Sequence, residues 1–368
     1  MKIENANLFL LRMNLRYPFR TSFGETKERD MLFVCLESGG FKGWGECVSE
    51  VGPWYSGETI TSCIHIISDY LVPWIKDKEI SHPTEFREIA KSIKGNQMAK
   101  ACVEDAIWDL YGKIKGKTLQ NLIGGTKDKI PSGISLGIQQ NVSILLEKIE
   151  AAVMKNYQRI KIKIEPGWDV DIIKQIRNQY PDLPLMVDAN NAYRLKDLDI
   201  FKKLDRFDLM MIEQPLQYFD IIDHASLQKD LSTPICLDES IKNVDDARVA
   251  IEIDATRIIN VKPARVGGIS ETLLIHKLAE ETKIPLWCGG MLETGIGRAK
   301  NVAVASLKTF TLANDISESA RYYTDYIIKP IFELNQDGTL TVPIKNAGIG
   351  VEILENKINQ NCIKKIKI

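Results

Sequence analysis

Lys163, Asp188, Glu213, Asp238 and Lys262 each close a short apolar run, and they follow one another at intervals of 25, 25, 25 and 24 residues. The three carboxylates offer only oxygen, the donor type that hard divalent cations such as Mg²⁺ or Mn²⁺ prefer, with water and substrate oxygens left to complete the coordination. The two lysines flank the carboxylates in sequence, and a positioned amine can take or deliver a proton. Together these groups could remove a proton next to a carboxylate and stabilise the resulting anion with a Lewis acid. None of the four histidines, at 65, 82, 224 and 276, ends one of these runs, so neither a histidine-rich zinc site nor a histidine base is expected.

Such an interval accommodates one strand and one returning helix, the repeating unit of a β/α barrel, whose chemistry gathers at the C-terminal ends of its strands. From about Ile130 onward eight segments read as strands of this kind: SGISLGI, RIKIKI, PLMVDAN, LMMIEQP, PICLDES, RIINVKP, PLWCGG and FTLANDIS. In RIKIKI the residues Arg159, Lys161 and Lys163 share one face, and Ile160, Ile162 and Ile164 share the other. A barrel strand is covered on both faces, so a basic row on one of them points to chemistry rather than packing. Lys163 ends the second strand and Lys262 the sixth, which sets the two amines across the mouth from each other.

The first third is organised differently. MLFVCLES and FKGWGEC, joined at Gly39-Gly40, read as an antiparallel hairpin. Helices are expected over Glu58 to Ile75, Pro83 to Ile93 and Gln97 to Ile114. After residue 330, TLTVPIKNAGIGVEIL reads as strand, turn and strand, and the closing KKIKI as a solvated end. The chain is thus expected to be an α/β protein with an α+β module over 1–125, a barrel over 126–330, and a segment over 331–368 that returns to the first module.

With 48 basic and 49 acidic side chains the net charge is −1, which gives no general attraction to nucleic acid or to an acidic membrane surface. A small-molecule partner is expected instead, with no membrane partner; self-association into a homo-oligomer is left open. Seven scattered cysteines without a C-x-x-C fit free thiols in a reducing cytoplasm better than a disulfide framework or a zinc ribbon. The apolar run Leu8 to Leu11 is too short for a signal-peptide core.

The motifs K-I-K (161–163), D-A-N-N-A-Y (188–193), I-E-Q-P (212–215), L-D-E-S (237–240), K-P-A-R-V-G-G (262–268) and G-G-M-L-E-T-G-I-G-R-A (289–299) resemble those of the enolase superfamily, muconate-lactonising subgroup. The resemblance spans the chain and implies a (β/α)₇β modified TIM barrel under an α+β capping domain formed by both termini. It implies Asp188, Glu213 and Asp238 as ligands of Mg²⁺ or Mn²⁺, and Lys163 as the base. Lys262 becomes the amine on the opposite face, while Lys161, Asn190 and Glu239 become supports that orient the ligands. A lysine base with magnesium stabilising an enediolate is the pattern general to that superfamily.

Within the subgroup the chain is most similar to the branch that forms o-succinylbenzoate, a step toward menaquinone, and that also racemises N-succinylamino acids. Arg265, three residues after Lys262, matches an arginine of the racemising branch. Substrate contacts are expected from cap loops carrying Phe19, Phe23, Trp54 and Tyr55, and from Arg265, Gly290, Met291 and Ser317. A dipeptide epimerase would carry D-x-D at the eighth strand, where this chain has Asp315-Ile316-Ser317. Three readings stand side by side: a lyase, an isomerase using the same groups, and a barrel that only binds.

Overall fold

The computed structural model describes residues 1–21 and 24–368. Three antiparallel strands open the chain: β1 (Asn5–Thr21), β2 (Gly24–Ser38) and β3 (Phe41–Cys47). Alternation along β1 and β2 sends their side chains to two different cores. Phe9, Leu11 and Met13 of β1 and Met31, Phe33 and Cys35 of β2 join the core that runs through the barrel. Ala6, Leu8, Leu32, Val34 and Leu36 face the cap helices instead. One sheet therefore serves as the wall shared by cap and barrel.

The cap helices start where side chains can satisfy their free N–H groups. Thr59 and Ser62 form a capping box at Ile60–Ile66, and the Glu58 carboxylate accepts from the backbone N–H of Met98 and Ala99 at the head of Gln97–Lys115. The expected helix from Glu58 to Ile75 exists, but Ile67–Leu71 is π-helical. The expected Pro83–Ile93 helix is only Glu85–Ile89. Gln97–Lys115 is buried almost all round, and beside Ala99, Cys102, Ala106, Trp108 and Leu110 it takes Glu104, Asp105 and Asp109 inside, where groups of the surrounding sheet and barrel pair with them.

A short strand, β4 (Lys129–Pro131), leads into the barrel. Its parallel strands are β5 (Gly133–Leu136), β6 (Arg159–Lys163), β7 (Leu185–Asp188), β8 (Ile212–Glu213), β9 (Ile235–Leu237), β10 (Ile258–Val261) and β11 (Leu286–Cys288). They form one seven-stranded sheet in sequence order. The eighth segment, FTLANDIS, makes no regular strand; it closes the ring through single bridges, Phe310 to Leu286 and Asn314 to Ser132. Asn314 reinforces that closure, since its side chain accepts from the Cys288 N–H at 2.8 Å and donates to the Pro131 carbonyl at 3.1 Å. Side-chain hydrogen bonds thus take over part of the strand ladder's role. Met186, Met211, Cys236, Ile258 and Trp287 form a separate apolar floor within the barrel.

The C-terminal segment holds the two expected strands, but each pairs elsewhere rather than with the other. β12 (Ile328–Lys329) pairs with β14 (Glu352–Ile353), while β13 (Thr339–Thr341) pairs back to β4. The KKIKI end is not free: β15 (Cys362–Lys367) is the edge strand of the cap sheet, in the order β15–β1–β2–β3. Its side chains stay largely exposed, which is why its composition reads as a solvated tail. Among the described residues no helix is long and apolar enough to cross a membrane. All seven cysteines are free and six are buried.

Candidate active site

The basic face of β6 points into the barrel. Arg159, Lys161 and Lys163 are 1%, 2% and 8% exposed, yet all lie on strand positions whose neighbours Ile160 and Ile162 pack outward against helices. Three buried cations on one strand demand buried anions; β7 and β8 supply them to Lys163 and Lys161, while Arg159 meets Asp315 of the eighth segment at 4.0 Å. Lys163 pairs with Asp188 of β7 in strand register, and its Nζ donates to Asp188 Oδ2 and to Asn190 Oδ1, both at 2.5 Å. Lys161 Nζ bridges Asp188 at 3.1 Å, Glu213 at 3.0 Å and Asp315 at 3.0 Å. Below them Arg159 and Lys161 lie over the Trp287 ring at 4.8 and 5.1 Å, so the charged layer rests on the apolar floor.

On the far side of the mouth, Lys262 follows β10 and donates to Asp238 Oδ2 at 2.8 Å. Arg265 pairs with the other oxygen of Asp238 and donates to the carbonyls of Ile241 and Asn260. Tyr55 descends from the cap: its hydroxyl donates to Asp238 Oδ1 at 3.2 Å and accepts from Lys262 Nζ at 3.1 Å. The Lys262 ammonium also lies 4.6 Å from the Tyr55 ring centroid.

Supports close the network from behind. Asn190 Nδ2 donates to Glu239 Oε1 at 3.0 Å, and Asn260 Nδ2 donates to Glu213 Oε1 at 2.7 Å. Gln214, at φ +37°, carries its side chain to β9, where Oε1 accepts from the backbone N–H of Asp238 and Ser240. A positive φ at a residue other than glycine is costly and persists only where the surroundings hold it; here the hydrogen bonds join the ends of two ligand-bearing strands. His224 is buried beside Gln214, with Nε2 accepting from the Leu216 N–H, so its role is structural.

Charge and burial compete throughout. Burial works against the charge of Lys161, but Asp315, Glu213 and Asp188 outweigh it and hold its pKa above that of ordinary lysine. Lys262 is raised in the same way, burial being overcome by Tyr55, Glu239 and Glu213. Asp188 stays below the usual carboxylate range because Lys163 and Lys161 overcome its burial. Glu213 is pushed up by burial and by Asp188 beside it, and Glu239 by burial.

Among the described residues no group of three or more His, Cys, Asp or Glu side chains stands arranged to hold a metal ion. Ammonium and guanidinium groups lie against the oxygens of Asp188, Glu213 and Asp238 instead. The donor set still fits a hard divalent cation. Three carboxylates on successive strands offer only oxygen and already gather positive charge, and the buried Glu239 Oε2 beside them has no hydrogen-bond partner.

The remaining expected contacts are dispersed. Trp54 is 64% exposed. Met291 packs into the helical core of the cap, and its carbonyl accepts from Arg29. A side chain at Gly290 would strike the Asp315 carbonyl, and Ser317 is buried with an unpartnered hydroxyl. Phe23 lies outside the described residues, as does the side chain of Phe19. Asp315, Asn260 and Gln214 are site residues that sequence reasoning left unassigned. Asn260 carried a signal, since it lies two positions before Lys262 and so on the same face of its strand.

An antiparallel cap over a parallel barrel of seven regular strands, with lysines and carboxylates at the strand ends, defines a class of protein, and this chain belongs to the enolase superfamily. Residues 5–124 match the mandelate racemase/muconate lactonizing enzyme N-terminal domain, and residues 145–357 match the enolase C-terminal domain-like family. The chain is 48% identical over 366 residues to the o-succinylbenzoate synthase of Bacillus subtilis, covering 99% of this chain and 96% of that protein. It is 43% identical to the N-succinylamino acid racemase of Thermus thermophilus, covering 96% and 95% of the two chains. A solved enolase-superfamily structure from Listeria innocua superposes with a TM-score of 0.96 at 42% identity, covering 100% of this chain and 99% of that one. Members of the superfamily typically use a divalent metal.

Proposed function

We propose that the chain is an o-succinylbenzoate synthase, a lyase that converts 2-succinyl-6-hydroxy-2,4-cyclohexadiene-1-carboxylate to o-succinylbenzoate. The observation that carries the reading is the pair of buried amines, Lys163 against Asp188 and Lys262 against Asp238, on strands that three others separate. A planar carboxylate lying between them meets one amine on each face.

Lys163 takes the proton α to the substrate carboxylate; the C–H electron pair moves into the carboxylate as an enediolate. Collapse of that anion expels the 6-hydroxyl, which leaves as water with the proton held on Lys163, and the ring becomes aromatic. Lys262, kept cationic by its anionic neighbours, stabilises the anion from the other side. Asn190 orients Lys163, and Tyr55 brings the cap onto the Lys262 side of the mouth. A divalent cation such as Mg²⁺, held by Asp188, Glu213 and Asp238, would supply Lewis-acid stabilisation of the enediolate oxygens.

Racemisation of N-succinylamino acids is the second reading, favoured by the same amine on each face and by relatives of both names. There Lys163 and Lys262 exchange protons with one α-carbon from opposite sides. Purified protein with Mg²⁺ and the cyclohexadiene precursor, run beside an N-succinylamino acid in D₂O and followed by NMR, tests both. Aromatisation abolished by EDTA and restored by Mg²⁺ or Mn²⁺ is expected, with α-hydrogen exchange in parallel if both activities reside here. Exchange without aromatisation would leave a racemase, and activity in metal-free protein would remove the three carboxylates from a ligand role.

A further inference from the structure

A cavity of about 760 Å³ opens on the outside of the barrel, and none of the carboxylates or amines of the mouth lines it. Its walls are the outer face of β5, the helix Val142–Met154, the turn Glu318–Arg321 and the stretch Arg16–Pro18 of β1. A regular barrel would lay its eighth helix near this strand; here the chain makes only the short 3₁₀ turn Ser319–Arg321, and the space stays open. The volume lies in the range of small-molecule sites, roughly 300–1,000 Å³.

Its lining is apolar and cationic together. Ile134, Leu136, Ile138 and Ile144 contribute hydrocarbon, while Arg16, Lys148, Lys155 and Arg321 face a single carboxylate, Glu318. Lys155 already holds Glu318 at 2.5 Å. Arg16 and Arg321 donate to carbonyls, of Ala320 at 3.3 Å and Ser135 at 3.2 Å, and neither they nor Lys148 has a carboxylate partner among the described residues. Two polar groups of the lining, Arg321 Nε and the Tyr157 hydroxyl, are buried without a hydrogen-bond partner. Burial, and then Arg321, also disfavour the charged form of Lys148, as expected where positive charge lacks a counterion.

We infer that this cavity binds a small organic anion with an apolar body, a carboxylate on an aromatic or branched frame, separately from the catalytic mouth. The cations draw the carboxylate and the isoleucine-rich wall covers the frame; an uncharged analogue satisfies only the second.

Calorimetric titration of the full chain with 2-naphthoate, beside 2-naphthamide as the same frame without charge, tests this. Arg16 and Lys148 make no ion pair among the described residues, so Arg16→Gln and Lys148→Gln should keep the fold, which circular dichroism checks. Each should weaken naphthoate roughly fivefold, the scale of one partly exposed charge contact. The amide should bind much more weakly than the acid. Naphthoate affinity untouched in the double variant, or lost only on Lys262→Gln, would assign the binding to the catalytic mouth and overturn the proposal. Equal affinity for the amide would overturn the anionic class, and failure of naphthoate to bind at millimolar concentration would overturn the site itself.

Discussion

Lys163 is the side chain on which both proposed reactions depend, because it alone ends the basic row of β6 at the level of Asp188. Lys163→Ala removes the base and leaves Asp188 still bridged by Lys161 at 3.1 Å, so the fold should survive. The expected result is a loss of roughly 10²–10⁴-fold in kcat for aromatisation and for α-exchange alike, the usual reach of a positioned base. Circular dichroism and metal content should stay unchanged; turnover near that of the parent would remove Lys163 from the base role. At this scale the sequence was legible where spacing and alternation act together. Evenly spaced strand ends flagged Lys163, Asp188, Glu213, Asp238 and Lys262, and period two flagged Lys161. Asp315 was not legible as a partner, because its contact with Lys161 joins the second strand to an irregular eighth segment that no local pattern pairs. Trp54, read as an apolar wall, stands largely in solvent, since an aromatic in a loop carries no sign of which way it turns.

Elements were readable in proportion to how far local forces decide them. The helix Gln97–Lys115, closed at its end by Gly116 in the left-handed region, and the hairpin β2–β3, turned at Gly39-Gly40, stand where sequence reasoning set them. The Ile67–Leu71 segment keeps helical periodicity in composition, so its π-helical winding leaves no trace in the residue pattern. FTLANDIS reads as a strand, yet Asn314 holds the ring closed by side-chain bonds that no strand propensity encodes. The contact between β3 and the helix Gln97–Lys115 shows why two strand glycines are needed. A Cβ at Gly45 would overlap the Cys102 carbonyl, and one at Gly43 the Ala106 carbonyl, both main-chain atoms that cannot rotate away. Gly45→Ala should therefore force strand and helix apart at about 1–3 kcal/mol, the cost of overpacking. Gly57→Ala, with nothing within 4 Å of its Cβ, should change stability by no more than about 0.5 kcal/mol. Equal melting temperatures for the two variants would mean that helix and strand do not approach as closely as the structure has them.

Across the whole molecule, the cap and barrel are joined by carboxylates that the cap lends to barrel helices. Glu46 of β3 accepts from the backbone N–H groups of Thr294 and Gly297, both at 2.8 Å, at the head of the helix Gly295–Ala305. Glu104 accepts from the Ser270 N–H at 3.2 Å at the head of Ile269–Thr282. Asp105 holds Lys300 at 2.7 Å. Helix N-termini favour anions, but burial outweighs that preference here and pushes Glu46 up to about 7, Glu104 to about 8 and Asp105 to about 6. Each folded pKa thus lies above its unfolded value, near 4. Between the two values the native state binds more protons than the unfolded chain, so stability must fall as pH rises. The window runs from about pH 4.5, where the unfolded carboxylates ionise, to about pH 8, where the last of the three ionises in the folded protein. Glu104→Gln keeps an acceptor for Ser270 and removes the titration. Urea unfolding at pH 5.5 and pH 8 should then show a shallower loss of stability in the variant than in the parent, by on the order of a few kcal/mol. Identical slopes in the two proteins would mean that Glu104 ionises as easily in the folded chain as in the unfolded one.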